Sequence, residues 1–142
     1  FRRVLFRSNP SFFVVVGWYH LLPSSWIELV PAYGLHASLL PDYSGGAPLV
    51  WALINGEKKT GISLFRMDEG VDSGPIVGQL EEEIHDHDTI ASLYLRIEEK
   101  GLTLLRDKVP KLASGKFTLN ECFNDSEIKI IKIFNINYSI FH

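Results

Sequence analysis

The chain has little of what would set it apart from ordinary globular proteins. One of its 142 residues is cysteine, Cys122, so no intrachain disulfide can form, and a reducing cytoplasm is the expected compartment. No apolar run approaches the ~20 residues that a membrane helix needs. The longest, residues 12–17, is strand-sized. Positive charge is not in excess. Fourteen Lys and Arg against 17 Asp and Glu leave a net charge of −3, which removes the general electrostatic reason for binding nucleic acid. There is no initiating Met and no convincing signal peptide. Hydrophobic residues make up 46% of the chain. That composition suits one domain or less with a buried core.

The order of sequence patterns predicts an α/β domain. Phe12-Phe-Val-Val-Val-Gly17 is continuous, apolar and β-branched, as in a strand buried on both faces. Pro23 and Ser25-x-x-Glu28 predict a capped helix start, and Pro31 a stop. Tyr33 to Ala37 fits a second strand ending at His36. Pro48 opens a short buried helix that Asn55-Gly56 closes. Gly61 to Met67 and Pro75 to Glu82 fit two more strands, with the Asp68–Gly74 loop between them. From Asp88 the positions Ile90, Leu93, Tyr94, Ile97, Leu104, Leu105 and Val109 predict an amphipathic helix, weakened at Gly101 and ended near Pro110. The sum is a Rossmann-like unit with a mostly parallel sheet, its sites at the carboxyl ends of the strands. Both ends of the chain differ from the rest. Residues 1–8 contain Leu-Phe-Arg-Ser, which the end of a common sequencing adapter encodes, and they are expected to be non-native. The Ile- and Asn-rich tail after residue 115 reads either as a terminal strand pair or, preferably, as sequence with no evolved fold.

One stretch asks for a chemical explanation. His36-Ala-Ser-Leu-Leu-Pro-Asp-Tyr-Ser-Gly-Gly-Ala-Pro48 is followed, 36 residues after the His, by Asp72 in Met67-Asp-Glu-Gly-Val-Asp-Ser-Gly74. Imidazole and carboxylate thus fall on separate strand-end loops. Taken singly, a His at a strand end is more often structural than catalytic, and an Asp before Ser-Gly is usually a turn former. The ordered motif around both, from about Val14 to Ser114, resembles that of the 10-formyltetrahydrofolate-dependent formyltransferases. The resemblance implies a Rossmann-like catalytic domain lacking its first strands, with residues 9–114 as its later half. It implies formyl transfer to an amine, with His36 as proton handler and stabiliser and Asp72 as its partner or the base. It also implies a pterin held by the backbone of His20, Leu21 and Leu22 on one side and of Asp68, Glu69, Gly70 and Val71 on the other. Leu21 and Leu22 read equally well as core packing.

The chain departs from the family in one place. Most members carry Asn two residues before the His, and here that position is Gly34. An oxyanion donor is thereby absent, which can cost roughly 3 kcal/mol of barrier. A non-catalytic folate-binding module is therefore an alternative to an enzyme. The loop after Leu-Leu-Pro, Asp42-Tyr-Ser-Gly-Gly46, is small and acidic where methionyl-tRNA formyltransferases commonly show Arg. That favours an amino sugar on a nucleotide carrier as acceptor, with initiator tRNA as the alternative. His85-Asp-His-Asp88 has the alternation of a zinc site, but a polar loop capping a helix explains it better, and no metal is expected.

Overall fold

The computed structural model describes residues 10–17 and 20–115, so the expectations for residues 1–8 and for the tail beyond 115 lie outside the described residues. In chain order the elements are β1 (Phe13–Val15), α1 (Ser24–Ile27), β2 (Ala32–His36), α2 (Pro48–Ile54), β3 (Lys59–Arg66), β4 (Ile76–Glu83) and α3 (Ile90–Ala113). The strands form one sheet in the order β1-β2-β3-β4. The α/β class is as expected. The strand directions are not those of a mostly parallel sheet: β1 and β2 are parallel, whereas β2–β3 and β3–β4 are antiparallel. For β3 and β4 the reason lies in their connection. A parallel neighbour needs a crossover of a dozen or more residues. The β1–β2 and β2–β3 connections have that length, and length alone does not set the antiparallel direction of β2–β3, but β3 and β4 are joined only by the loop at 67–75 and turn back as a hairpin.

Cross-strand pairing gives the sheet two unlike faces. Leu35 opposes Leu64, and Ile62 opposes Leu80; their face packs on α3 through Leu93, Ile97, Leu104 and Leu112. The other face carries Gly34 opposite Phe65 and His36 opposite Ser63, with Leu40 and Ile76 packed on Phe65. Alternation along β3 thus sends Ile62 and Leu64 to the helix and Ser63 and Phe65 to the face that bears His36.

Several local expectations are corrected. β1 is an edge strand of intermediate burial, and Val16 beyond it is 63% exposed, so among the described residues it is not buried on both faces. The Ser25–Glu28 box does not form. Pro23 occupies the N-cap of α1, there is no side-chain cap, and Glu28 closes the four-residue helix instead. α2 starts at Pro48 and ends in a Schellman arrangement, with Gly56 at φ 69 and the amides of Gly56 and Glu57 donating to the carbonyls of Leu53 and Ala52. It is amphipathic rather than wholly buried: Leu49 and Ala52 face the core, and Trp51 and Ile54 face out.

α3 is capped by Thr89 and Ser92, each accepting the other's backbone amide, and not by Asp86 or Asp88. It runs unbroken past Gly101, where the missing side chain has a packing cause. A Cβ there would stand 2.9 Å from Ile62 Cδ1, so the glycine lets the helix lie close on β3. Pro110 does not end the helix, which continues to Ala113. The proline's cost of ~3 kcal/mol is of the same size as the gain from burying a Leu, ~1.5–3 kcal/mol, and Leu112 in that turn is buried.

Candidate active site

β2 delivers His36 as its last residue, and the chain then leaves the sheet through Ala37–Pro41. A polar clamp fixes this exit. Ser63, opposite His36, donates to the Ser38 carbonyl (2.6 Å) and accepts from the Leu40 amide (3.0 Å). Gln79, opposite Ser63 on β4, donates to Ser63 Oγ (2.8 Å) and to the Leu40 carbonyl (2.9 Å). The Leu40–Pro41 bond is cis. His36 is 3% exposed.

Asp72 arrives from the β3–β4 loop with a left-handed backbone, φ 52, a conformation that Asp tolerates better than most residues. Its Oδ2 lies 3.3 Å from His36 Nδ1 and accepts the Gly45 amide at 2.9 Å. The other ring nitrogen, Nε2, is 2.8 Å from the Tyr43 carbonyl. A carbonyl only accepts, so that bond assigns a proton to Nε2. Nδ1 of a neutral ring then turns a lone pair to Asp72, and attraction between the two needs a proton shared along the Nδ1–Oδ2 line. The arrangement is chemically able to hold one proton and pass it on.

Part of the expected pterin segments lines one cleft. Asp68 and Glu69 line a cleft of about 290 Å³ together with Ser24, Ile27, Glu28, Arg66, Met67 and Pro75. His20, Leu21 and Leu22 precede α1 and do not line it. Leu22 is buried among the core residues, and Leu21 is 68% exposed. Asp68 Oδ1 accepts the Gly70 amide (2.9 Å) and the Ser73 hydroxyl (2.8 Å), so that carboxylate organises its own loop. A Cβ at Gly70 would meet the rotatable Ser73 hydroxyl, and Gly70 and Val71 lie outside the cleft lining. The cleft combines apolar walls (Ile27, Met67, Pro75) with polar groups from Glu28, Arg66 and the loop, which suits a flat heterocycle carrying amide-like edges.

At Gly34 the structure accounts for the departure from the motif. A Cβ there would lie 2.9 Å from Phe65 Cε1 and 3.3 Å from Met67 Cγ. The Phe65 ring occupies the space a side chain would take. The His85–Asp88 loop is also explained by its contacts: Asp88 accepts from the His85 amide, from Ser92 and from both Arg96 Nη atoms, and the two His rings stack at 5.7 Å.

Comparison with known proteins decides the family. The formyl transferase family model matches residues 1–109. The chain belongs to the formyl transferase family. The match begins at residue 1 and so includes the eight residues expected to be non-native. Methionyl-tRNA formyltransferase of Thermodesulfovibrio yellowstonii is 43% identical over 113 residues, 78% of this chain and 36% of its own length. Among solved structures, a 4-N formyltransferase from Francisella tularensis is similar with TM-score 0.79 and 22% identity, covering 90% of this chain and 52% of that one. A formyltransferase from Anoxybacillus kamchatkensis, solved in complex with a UDP-formamido sugar and tetrahydrofolate, gives TM-score 0.77 at 24% identity, covering 84% of this chain and 64% of that one. The chain thus spans little more than a third of the curated relative, and the two structural likenesses speak for the fold. No helix among the described residues is long and apolar enough to cross a membrane.

Sequence reasoning found the pair His36–Asp72, which the fold brings together. It missed the Tyr43 carbonyl and the Gly45 amide, because backbone groups carry no residue-type signal. It also missed Ser63 and Gln79, whose roles depend on register. Ser24, Ile27, Glu28, Arg66, Met67 and Pro75 were invisible as cleft residues because only the tertiary fold brings α1 and the 66–75 segment to one cleft.

Proposed function

We propose that this chain carries the proton-handling part of an enzyme that transfers a formyl group from 10-formyltetrahydrofolate to a primary amine. The observation that carries the reading is the His36–Asp72 contact, beneath a loop that bonds both partners. An amine that attacks the formyl carbon through its lone pair forms a C–N bond and must shed a proton, while the bond from that carbon to the folate nitrogen breaks and that nitrogen gains a proton, leaving tetrahydrofolate. The imidazole–carboxylate pair takes up that proton, and burial of His36 keeps bulk water from competing for it. The folate would sit in the cleft between α1 and the 66–69 segment, where Ile27, Met67 and Pro75 supply apolar walls. It supplies an activated formyl group when bound. His20, Leu21 and Leu22 belong, in this reading, to the rim that leads into α1, and Gly70 and Val71 to the turn behind Asp68. Residues 9–114 form the catalytic segment.

Two acceptors have support. Identity of 43% with a methionyl-tRNA formyltransferase favours initiator tRNA. The acidic, arginine-free loop at 42–46 favours an amino sugar on a nucleotide. Assaying the protein of the complete open reading frame that contains this chain against both acceptors tests the reading. Formylation of initiator tRNA alone would end the sugar proposal, and formylation of the sugar nucleotide alone would end the tRNA one. A third reading, a folate-binding module without turnover, is favoured by Gly34 and its filled space. Binding of a folate analogue with no formylation of either acceptor would establish that module and remove the enzyme.

A further inference from the structure

The loop over the His36–Asp72 pair is anchored at a point distant from the motif. Tyr43 contributes both ends of that anchor. Its carbonyl accepts from His36 Nε2 at 2.8 Å. Its hydroxyl donates to Glu57 Oε1 at 2.6 Å and accepts from Asn55 Nδ2 at 3.0 Å. Asn55 and Glu57 flank Gly56 in the Schellman turn, whose two backbone bonds of 3.1 and 3.0 Å make it a firm mooring. Between these ends the loop holds two non-glycine residues in the left-handed region, Tyr43 at φ 54 and Ala47 at φ 52. Such backbone relaxes unless its surroundings hold it. Two residues on from Tyr43, the Gly45 amide bonds Asp72 Oδ2, so one short segment contacts both members of the pair.

We propose that Tyr43 is a positioning residue: its ring, moored by Asn55 and Glu57, presses its own carbonyl onto His36 Nε2, fixes that nitrogen as the one bearing the proton, and keeps the Gly45 amide on Asp72. The hydrogen bond to Glu57 is the largest influence holding the Tyr43 hydroxyl above its ordinary value, so it remains a donor through neutral pH. The mooring is at the surface and can be cut without opening the core. Its catalytic consequence rests on reading His36 and Asp72 as the proton-handling pair.

The test uses the protein of the complete open reading frame, with ¹⁵N-labelled histidine to read the tautomer of the His36 ring, assigned by comparison with His36→Gln. The unsubstituted protein is expected to carry the His36 proton on Nε2. In Tyr43→Phe the ring becomes a mixture of tautomers and kcat falls about tenfold, the scale of one lost hydrogen bond, with KM changed by less than about twofold. Glu57→Gln keeps an acceptor and retains the single tautomer, whereas Glu57→Ala behaves like Tyr43→Phe, and the double substitution is no worse than either. An unchanged His36 spectrum in Tyr43→Phe overturns the proposal, whatever the rate. A tautomer shift in a protein that formylates neither acceptor upholds the positioning role and sinks the formyl-transfer reading, so the two failures are distinct.

Discussion

At the scale of single residues, the site depends on what His36 and Gly34 each present. His36→Ala leaves Asp72 with no imidazole partner, and Asp72→Asn leaves the ring without a carboxylate. Each is expected to lower kcat for formylation by about 10²–10⁴-fold, the usual worth of a positioned acid–base group. Steady-state kinetics on the complete protein would measure it, and unchanged rates would remove the site assignment. Gly34 makes a different prediction. Phe65 is 3% exposed, so its ring cannot swing aside into water when a Cβ arrives 2.9 Å away. Gly34→Asn is therefore expected to destabilise the protein by about 1–3 kcal/mol in chemical denaturation, as overpacking does. Coupling with Phe65→Leu should make the double substitution less costly than the sum of the two. Strict additivity would mean that the ring and the missing side chain do not compete for space. The identity of the His–Asp pair was legible because both are chemically distinctive side chains in an ordered motif. The groups that lock them, a carbonyl at Tyr43 and an amide at Gly45, are common to almost every residue and were not.

At the scale of elements, strands β2 to β4 and the long helix are legible to within a few residues, and the two errors along that helix share a cause. Gly101 and Pro110 were read through intrinsic helix propensity, which favours a break. The structure answers with packing: Gly101 faces Ile62, and Leu112 buries the turn that Pro110 weakens. The same logic predicts what substitution does. Gly101→Ala gains up to ~1 kcal/mol of helix propensity and forces the Ile62 δ-methyl to move a few tenths of an ångström, so stability should stay within about 1 kcal/mol of the original. Gly101→Leu adds carbons that the δ-methyl cannot yield to, and should cost several-fold more in the denaturation midpoint. A well-tolerated leucine would show that α3 does not approach β3 as closely as described. The strand directions failed for a topological reason. Apolar runs and the alternation of strands with helices suggest a parallel sheet but do not fix strand direction, while the antiparallel turn between β3 and β4 follows from a loop too short for a crossover.

At the scale of the whole molecule, the sheet separates the candidate site from the core packed on α3. One face bears His36, Ser63 and Gln79, and the other takes α3, so acid sensitivity of the fold should originate away from the site. The junction between β4 and α3 is held by Arg96. Its guanidinium bonds Glu82 through Nε (2.7 Å), the Glu83 carbonyl through Nη2 (3.1 Å), and both carboxylate oxygens of Asp88 (2.8 and 2.6 Å). The Asp88 side chain is 1% exposed. Hydrogen bonds from Arg96, then from the His85 amide and Ser92, hold its carboxyl far below the usual range. Burial pushes Glu82 up, but hydrogen bonds and charge from Arg96 and Lys100 outweigh it, and its net shift is also downward. Carboxyls that bind protons more weakly folded than unfolded stabilise the fold wherever they are ionised, which is above the unfolded values of about 4. That contribution is complete at neutral pH and drains as pH falls through about 4 toward the lower folded values. The denaturant midpoint, followed by tryptophan fluorescence, should therefore be flat from about pH 7 to 5 and drop steeply from about pH 4 to 3. Asp88→Asn keeps the shape and removes the titrating group, so it should lower the midpoint at pH 7 and lessen the fall below pH 5. An acid transition of unchanged size in that variant would move the acid-sensitive joint elsewhere in the molecule.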